Sequence, residues 1–340
     1  MGLLTNRCAL PRSKPLQGGD FAIDLGDVET AAARIAPFVH RTPVITSTRL
    51  SALIGAEVFC KAESLQRTGS FKFRGATNAI ASLSTDERAQ GIVTFSSGNH
   101  GQAISRAAAF HDCRATVIMP TDAPTIKRKA TEHWGAEVVE YDRYAQDREQ
   151  VARQVLDARG GVMIPPFDHP AVMAGQGTVA LELLDQVSDL DMLFVCLGGG
   201  GLLAGCATVA KALRPQLIVV GVEPEAGDDH VRSRAARRRI SLDEVPKTIA
   251  DGQQITQPGV LTWPITEAKA DLLTTVSDRE IVDMMRTLFE QHKLVVEPSG
   301  ASALAAATYR GLVEPGMRVG VTLSGGNIDL RRFSELTSLT

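Results

Sequence analysis

A run of four glycines in the middle of the chain could bind an anion. The run, residues 198–201, follows the apolar segment 192–197 and precedes a leucine- and alanine-rich segment that predicts a helix. Consecutive glycines let the backbone approach a ligand closely, and the free N–H groups at a helix N-terminus attract negative charge. The sequence therefore predicts a phosphate-binding loop, and the alternative is a tight turn without a ligand.

The same loop also satisfies a loose dinucleotide-binding fingerprint. Gly199, Gly201 and Ala204 have the spacing G-x-G-x-x-A, and Glu223 lies 24 residues after Gly199 at the end of the next predicted strand. An NAD-dependent dehydrogenase is therefore a competing hypothesis for this loop taken alone. The fingerprint is weak, and it leaves the other glycine-containing polar segments of the chain without a role.

Three further segments combine glycine with polar side chains, namely residues 70–75, 96–102 and 324–327. The second follows a predicted strand at 92–95, and the third follows one at 319–323. Loops at the carboxyl ends of parallel strands line the ligand crevice of an open α/β sheet. At the start of a helix, the N–H groups of Ser97, Gly98 and Asn99 would be available to a carboxylate.

Lys72 lies in the first of these segments, between Phe71 and Phe73. Apolar surroundings lower the pKa of a lysine and favour its neutral amine, which can attack a carbonyl and form a Schiff base. A single lysine is ordinarily a surface charge. The hypothesis of a reactive amine therefore depends on the combination of Lys72 with the glycine-rich loops.

Together these segments resemble the fold-type II pyridoxal-phosphate (PLP) enzymes, in the branch of threonine and serine dehydratases, serine racemase and threo-3-hydroxyaspartate dehydratase. The resemblance extends from Thr42 to Asp329. Five motifs have the family's order and spacing, at residues 70–75, 96–102, 198–202, 297–300 and 324–327. The resemblance implies a two-domain α/β architecture like that of the tryptophan synthase β subunit, with parallel sheets covered by helices and PLP in the cleft between the domains. The dehydrogenase hypothesis becomes very weak.

The pattern of the chain independently predicts an α/β fold, because short β-branched runs alternate with amphipathic or alanine-rich segments. Strands are predicted at residues 57–60, 92–95, 115–119, 137–141, 192–197, 217–222 and 319–323. Helices are predicted at residues 101–110, 124–134, 146–158, 174–187, 202–213, 279–291 and 299–310. We expect a flexible leader over residues 1–22, a large PLP-binding domain from residues 23–89 and 168–340, and a small domain from residues 90–167.

The resemblance also implies the cofactor contacts. Lys72 would hold PLP covalently and move protons on one face, with Phe71 beside it. Asn99 would contact the pyridine hydroxyl, and Ser324 would be the partner of the pyridine nitrogen. The phosphate would be bound by Gly198, Gly199, Gly200, Gly201 and Leu202. Because a neutral hydroxyl at the ring nitrogen leaves the ring a weak electron sink, such a site favours prompt β-elimination over transamination.

The implied substrate site is the second polar segment together with one arginine. The α-carboxylate would be held by Ser96, Ser97, Gly98, Asn99, His100 and Gly101. Ser97 also has the position of the residue that reprotonates the opposite face in serine racemase, so racemisation is a predicted side activity; the alternative is a helix cap or carboxylate donor. Arg148 is at a position that the racemase uses near the substrate carboxylate, although an exposed helix arginine is the simpler interpretation.

An acidic segment predicts a site for a divalent cation. Glu223 and Asp229 are six residues apart across a glycine-containing turn, and carboxylate, carbonyl and water oxygens are the ligands that hard cations prefer. By resemblance, Glu223, the carbonyl of Gly227 and Asp229 would bind Mg²⁺, Ca²⁺ or Mn²⁺ away from the reaction. The alternatives are a solvated acidic loop, or Asp228 in place of Asp229.

The predicted reaction is the PLP-dependent dehydration and deamination of a β-hydroxy-α-amino acid to a 2-oxo acid and ammonia. Threo-3-hydroxyaspartate, threonine and serine are the leading substrates. The alternatives on the same fold are an amino-acid racemase and a phenylserine dehydratase, and a non-catalytic amino-acid-binding relative would be expected to lose Lys72 or Ser324. Hydroxyaspartate requires a cationic or multi-donor contact for its distal carboxylate, which the sequence does not identify.

Composition narrows the partners to small molecules. The 36 basic and 39 acidic side chains give a net charge of −3, which offers no general attraction to nucleic acid or to anionic membranes. Five scattered cysteines without a C-x-x-C pair predict reduced thiols and, with no signal peptide visible, a cytoplasmic location. A homodimer is expected by family analogy.

Overall fold

A computed structural model describes residues 21–96, 98–123 and 125–338. The predicted leader lies outside these ranges except for its last two residues, Phe21 and Ala22, which pack against the core. The packed chain therefore begins before residue 23. No helix in these ranges is long and apolar enough to cross a membrane. The uncharged segment 192–210 is a strand, a glycine loop and most of a helix.

Helices and strands alternate along most of the chain. The strands are β1 (Val44–Thr46), β2 (Glu57–Ala62), β3 (Ile92–Phe95), β4 (Ala115–Pro120), β5 (Glu137–Tyr141), β6 (Val162–Met163), β7 (Met192–Cys196), β8 (Ile218–Pro224), β9 (Leu272–Val276) and β10 (Arg318–Leu323). The first seven helices are α1 (Leu25–Ile35), α2 (Thr48–Ile54), α3 (Lys72–Ser82), α4 (Thr85–Gln90), α5 (Asn99–Phe110), α6 (Thr125–His133) and α7 (Arg148–Arg159). The others are α8 (Pro170–Gln186), α9 (Gly201–Leu213), α10 (Asp229–Ala236), α11 (Thr262–Lys269), α12 (Asp278–His292), α13 (Pro298–Tyr309) and α14 (Leu330–Ser338).

Six strands form the larger of two sheets, in the order β1-β2-β10-β7-β8-β9. Only the β1–β2 pair is antiparallel; every other neighbouring pair is parallel. Successive side chains of its central strand β7 enter different cores, since Phe194 packs in one hydrophobic cluster while Leu193 and Val195 pack in another. Both faces of the sheet are therefore covered, which explains why its inner strands are continuous apolar runs.

Four parallel strands form the smaller sheet, in the order β5-β4-β3-β6. It too is covered on both faces: Val117 and Met119 pack in one cluster, and Ile118, between them on β4, packs in a second. All four strands lie within residues 92–163, inside the segment predicted as the small domain. The sheets confirm the predicted α/β class with parallel sheets covered by helices, while the domain boundaries stay a prediction.

Candidate functional site

Lys72 is the first residue of α3, and its side chain enters a cavity formed by elements of both sheets. A bridge between Ser70 and Gly325 and a bond from the Phe71 N–H to the Ser324 carbonyl (3.0 Å) fix the chain just before it. Its Nζ donates to the Pro166 carbonyl at 2.6 Å. Burial lowers the pKa of Lys72 to about 8, so a substantial fraction of the amine is neutral near physiological pH.

The four glycines form the turn between β7 and α9 on the wall of the same cavity. Gly200 has φ +93°, a left-handed conformation that side chains disfavour. A Cβ atom on Gly199 would lie 2.3 Å from a ring carbon of Phe167, and one on Gly200 would lie 2.7 Å from Thr262 Oγ1. The neighbouring side chains therefore leave no room for a side chain at these two positions. The loop lies at the N-terminus of the 13-residue helix α9, where free backbone N–H groups can bind an anion.

The segment 96–101 joins β3 to α5 on another wall of the cavity. Ser96 Oγ accepts the Gly98 N–H at 3.1 Å, and Asn99 Nδ2 donates to Glu297 Oε1 at 2.5 Å. Ser97 lies outside the described residues, so its predicted role stays a prediction. Gly101 does not line the cavity in the described part of the chain. It packs against β4, where a Cβ atom on Gly101 would lie 3.0 Å from Val117.

His100 is buried, and its Nε2 lies 3.1 Å from the Ile164 carbonyl. Burial, with a smaller contribution from the charge of Lys72, lowers the pKa of His100 to about 3. The imidazole ring is therefore neutral, and its contact with the Ile164 carbonyl anchors the start of α5.

Ser324 directly follows β10 and is buried in the cavity wall, beside Cys196 at the end of the neighbouring strand β7. Burial raises the pKa of the Cys196 thiol to about 11. Both side chains are therefore uncharged near neutral pH.

Two cations besides Lys72 line the cavity, and they differ in their partners. Lys127 of α6 is paired with Asp251 and lies 3.5 Å from Glu297 Oε2. Arg148, the first residue of α7, lies over the Phe95 ring with its guanidinium carbon 5.1 Å from the ring centre. Within the described parts of the chain, Arg148 has no carboxylate partner.

This arrangement brings together Lys72, Ser96, Gly98, Asn99, His100, Arg148, Gly198, Gly199, Gly200, Gly201, Leu202 and Ser324 around one cavity. A family model for pyridoxal-phosphate dependent enzymes matches residues 35–325. The chain belongs to that family.

The relatives of this PLP enzyme are similar to it over nearly their whole length. L-threo-3-hydroxyaspartate ammonia-lyase of Saccharomyces cerevisiae is 47% identical, over 92% of this chain and 96% of the relative. Serine racemase of Schizosaccharomyces pombe is 46% identical over the same shares of both chains. The structure of maize serine racemase superposes with a TM-score of 0.89 at 39% identity, over 93% of this chain and 97% of that one. The architecture is therefore fold-type II.

The cavity of this PLP enzyme fits the cofactor in its donor chemistry. A lysine with a lowered pKa is available for the aldehyde, and the glycine turn at the start of α9 presents backbone N–H groups for the phosphate. The Ser324 hydroxyl is a neutral hydrogen-bonding group in the wall of the same cavity. The individual roles predicted for these residues stay predictions.

Lys127, Asp251 and Phe167 are among the cavity residues that sequence reasoning overlooked. Lys127 and Asp251 form an ion pair across the cavity, and Phe167 lies against the glycine turn. Lys127 lies in an ordinary amphipathic helix and Asp251 in a single turn of 3-10 helix, so no local pattern marks them. Glu297 belongs to a recognised motif, but nothing in the motif indicates that Lys127 and Asn99 are its partners.

The predicted metal ligands of this PLP enzyme lie at the end of β8, in the turn that follows it and at the start of α10, and none of them lines the cavity. Glu223 accepts the backbone N–H groups of His230 and Val231 at 3.0 and 2.9 Å. Among the described residues, no basic side chain and no hydroxyl group donates to the carboxylate oxygens of the buried Asp229, which lie beside the Glu223 carboxyl group. Burial raises the pKa of Asp229 to about 7 and, with the nearby Asp229 charge, raises the pKa of Glu223 well above its ordinary value.

Two neighbouring buried carboxyl groups that have no basic side chain as partner in the described chain fit a hard cation whose remaining ligands are carbonyl and water oxygens. In the parts of the chain that the structure describes, no group of three or more His, Cys, Asp and Glu side chains could hold a metal. Asp228, the alternative ligand, is paired with Arg232 at 2.7 Å, and this favours Asp229.

Proposed function

We propose that this PLP enzyme is an ammonia-lyase that converts a β-hydroxy-α-amino acid, with L-threo-3-hydroxyaspartate first among the candidates, to a 2-oxo acid and ammonia. The named activities of the yeast and fission-yeast relatives support a reaction at the α-carbon of a hydroxy amino acid. The uncharged pair Ser324 and Cys196 supports elimination, because a neutral ring contact limits charge accumulation at the α-carbon.

Bound PLP would supply the electron sink for the bond broken at the α-carbon. Lys72 would hold the cofactor and, once released by the substrate, take the α-proton on its neutral Nζ. The N–H groups at the start of α5 would bind and orient the α-carboxylate. The β-hydroxyl would leave as water, and a second water would release ammonia and the 2-oxo acid, so that the overall reaction consumes no oxidant or reductant.

The observation that carries the choice of hydroxyaspartate is the cation Arg148. Lys72 is assigned to the cofactor, and Lys127 is already paired with two carboxylates. Arg148 lines the same cavity without a carboxylate partner among the described residues, and a guanidinium binds a carboxylate through two parallel hydrogen bonds. A substrate with a second carboxylate would provide that partner.

The substrate assignment predicts a ranking of rates. With Mg²⁺ present, we expect ammonia and 2-oxo acid release to be fastest from L-threo-3-hydroxyaspartate and slower from L-threonine, L-serine and L-threo-phenylserine. L-Aspartate is the matched control, because it has both carboxylates and no β-hydroxyl, and it should release no ammonia. A preference for threonine or serine would contradict the hydroxyaspartate assignment, and D-serine formed from L-serine faster than ammonia would favour the racemase.

We also propose that Glu223, Asp229 and the carbonyl of Gly227 bind Mg²⁺, Ca²⁺ or Mn²⁺. The support is the pair of neighbouring buried carboxyl groups described above, neither of which has a basic partner among the described residues. The ion would stabilise the connection between β8 and α10. His230, the second residue of α10, packs against the glycine turn at residues 198–201, since a Cβ atom on Gly200 would lie 3.2 Å from its ring.

A metal at this site should stabilise the fold measurably. At an ion concentration roughly 100 times its Kd, the free energy of unfolding should rise by about 2.7 kcal/mol. We expect Asp229→Asn to abolish the increase in melting temperature that Mg²⁺ or Ca²⁺ gives to protein treated with a chelator. Asp228→Asn is the matched control and should retain it, because Asp228 is paired with Arg232. An unchanged response of the Asp229 variant would contradict the proposed site.

A further inference from the structure

Lys127 connects the two sheets across the cavity. It lies on α6, which packs beside the smaller sheet, and its side chain is 5% exposed. Asp251, its close ion-pair partner, and Glu297, with Oε2 at 3.5 Å, belong to segments that pack with the larger sheet. A single buried ammonium group therefore holds one carboxylate before α13 and another in the turn at residues 251–253.

Lys127 also supports the segment that precedes α5. Its aliphatic stem passes beside Gly98, where a Cβ atom would lie 2.5 Å from Lys127 Cδ. Glu297, its second carboxylate partner, accepts the side-chain N–H of Asn99 at 2.5 Å. Lys127 therefore reaches this segment by direct packing and through Glu297.

The bond chain continues from Asn99 to the loop after β10. Asn327 Nδ2 donates to Asn99 Oδ1 at 2.9 Å and to the Thr68 carbonyl at 2.7 Å. Thr68 lies four residues before Lys72, in the turn that leads to α3. A chain of polar contacts thus runs from Lys127 through Glu297, Asn99 and Asn327 to Thr68. It reaches the segments that carry Ser324 and Lys72.

We propose that Lys127 is a positioning residue that fixes the segment 98–101 and the Asn99 side chain against the larger sheet. The inference rests on the proposed function, because the start of α5 is assigned there to the substrate, and on the family resemblance, which implies that Asn99 contacts the cofactor. Lys127 does not itself bind substrate, since its ammonium group already has two carboxylate partners.

The charges around Glu297 agree with this role. Burial and the neighbouring charge of Asp251 raise the pKa of Glu297, while the charge of Lys127 and the bond from Asn99 lower it, and the balance leaves that pKa at about 7. Without Lys127, Glu297 would retain a proton to a higher pH. A protonated carboxyl accepts the Asn99 amide more weakly than a carboxylate, so the contact that holds Asn99 would loosen.

The test is Lys127→Met in the holoenzyme, with three readouts. We expect faster amide hydrogen exchange in residues 98–110, a changed absorption spectrum of the lysine-bound cofactor, and a fall of about 100-fold in kcat with a smaller change in KM. Lys127→Arg, which keeps the charge, should restore part of each. Arg128→Met is the matched control on the same helix, because it removes only exposed ion pairs to Glu132 and Glu140, and it should leave all three readouts unchanged.

Asp251→Asn provides a second, independent variant if Lys127→Met does not fold. It should reproduce the exchange and spectral changes, and the double variant should be no worse than the more impaired single variant. Unchanged exchange and spectrum in a folded Lys127→Met protein, or equal changes in Arg128→Met, would overturn the inference. Exchange and spectrum need no turnover, so they report on Lys127 even if the wild-type protein fails to release ammonia and the proposed reaction is wrong.

Discussion

Lys72→Ala is expected to lower kcat for ammonia release by at least about 10⁴-fold, because the variant loses both the group that holds the cofactor and the group that moves the α-proton. The absorption band of the lysine-bound cofactor should disappear, whereas free PLP would still absorb. In the absence of PLP, stability should change little, since removal of the buried amine relieves its desolvation cost while it also removes the bond to the Pro166 carbonyl. Stopped-flow or coupled assays and a spectrum measure the first two effects, and thermal unfolding measures the third.

A pH dependence accompanies this prediction. The amine reacts in its neutral form, and its pKa is lowered to about 8, so PLP uptake by the apoenzyme should accelerate up to that pH and then level off. An unperturbed lysine would continue to gain reactivity up to about pH 10.4. Lys211 of α9, which is paired with Asp271, provides the control: Lys211→Ala should behave as the wild type. A Lys72→Ala protein that keeps its band and its turnover would exclude Lys72 as the cofactor lysine.

Arg148→Met is expected to change which substrate the enzyme prefers. Loss of a charged hydrogen-bonded contact costs about 1.5–3 kcal/mol, so kcat/KM for L-threo-3-hydroxyaspartate should fall about 10- to 100-fold. Values for L-serine and L-threonine, which lack the second carboxylate, should change far less. The ratio of the two kcat/KM values is the decisive measurement, because a general disturbance of the site would lower both.

Arg153→Met is the matched control for that experiment. Arg153 lies on the same helix, is exposed, and faces Glu149 at 3.7 Å, so its removal should leave the preference unchanged. An equal fall for serine and hydroxyaspartate would assign Arg148 to the α-carboxylate, which all the substrates share. No change for either would place the distal carboxylate elsewhere.

The inner strands were predictable from the sequence, whereas of the four edge strands only β5, predicted at residues 137–141, was recognised. The predicted strands at 92–95, 115–119, 192–197 and 319–323 match β3, β4, β7 and β10 closely. The three strands that the sequence analysis missed, β1, β6 and β9, all lie at an edge of a sheet. An edge strand is less completely buried, so it lacks the continuous apolar run that identifies a strand covered on both faces.

The sequence by itself determined the chemistry that depends on local backbone and on residue type. A glycine turn between a strand and a helix binds anions through its own N–H groups, and a lysine between two phenylalanines is a candidate for a low pKa, so both could be recognised from adjacent residues. The order of these motifs along the chain then indicated the family, which the family model confirms.

Only the tertiary structure decided which charges face one another. Lys127 meets Asp251 across 124 residues, and Asn99 meets Glu297 across 198, and no local pattern specifies such pairs. The same holds for Arg148, whose lack of a carboxylate partner is a property of the cavity rather than of its helix. Electrostatic partners are set by how sheets and helices pack. The sequence could therefore indicate the cofactor and, by family resemblance, place Arg148 near the substrate, but only the structure shows that Arg148 lines the cavity without a carboxylate partner among the described residues.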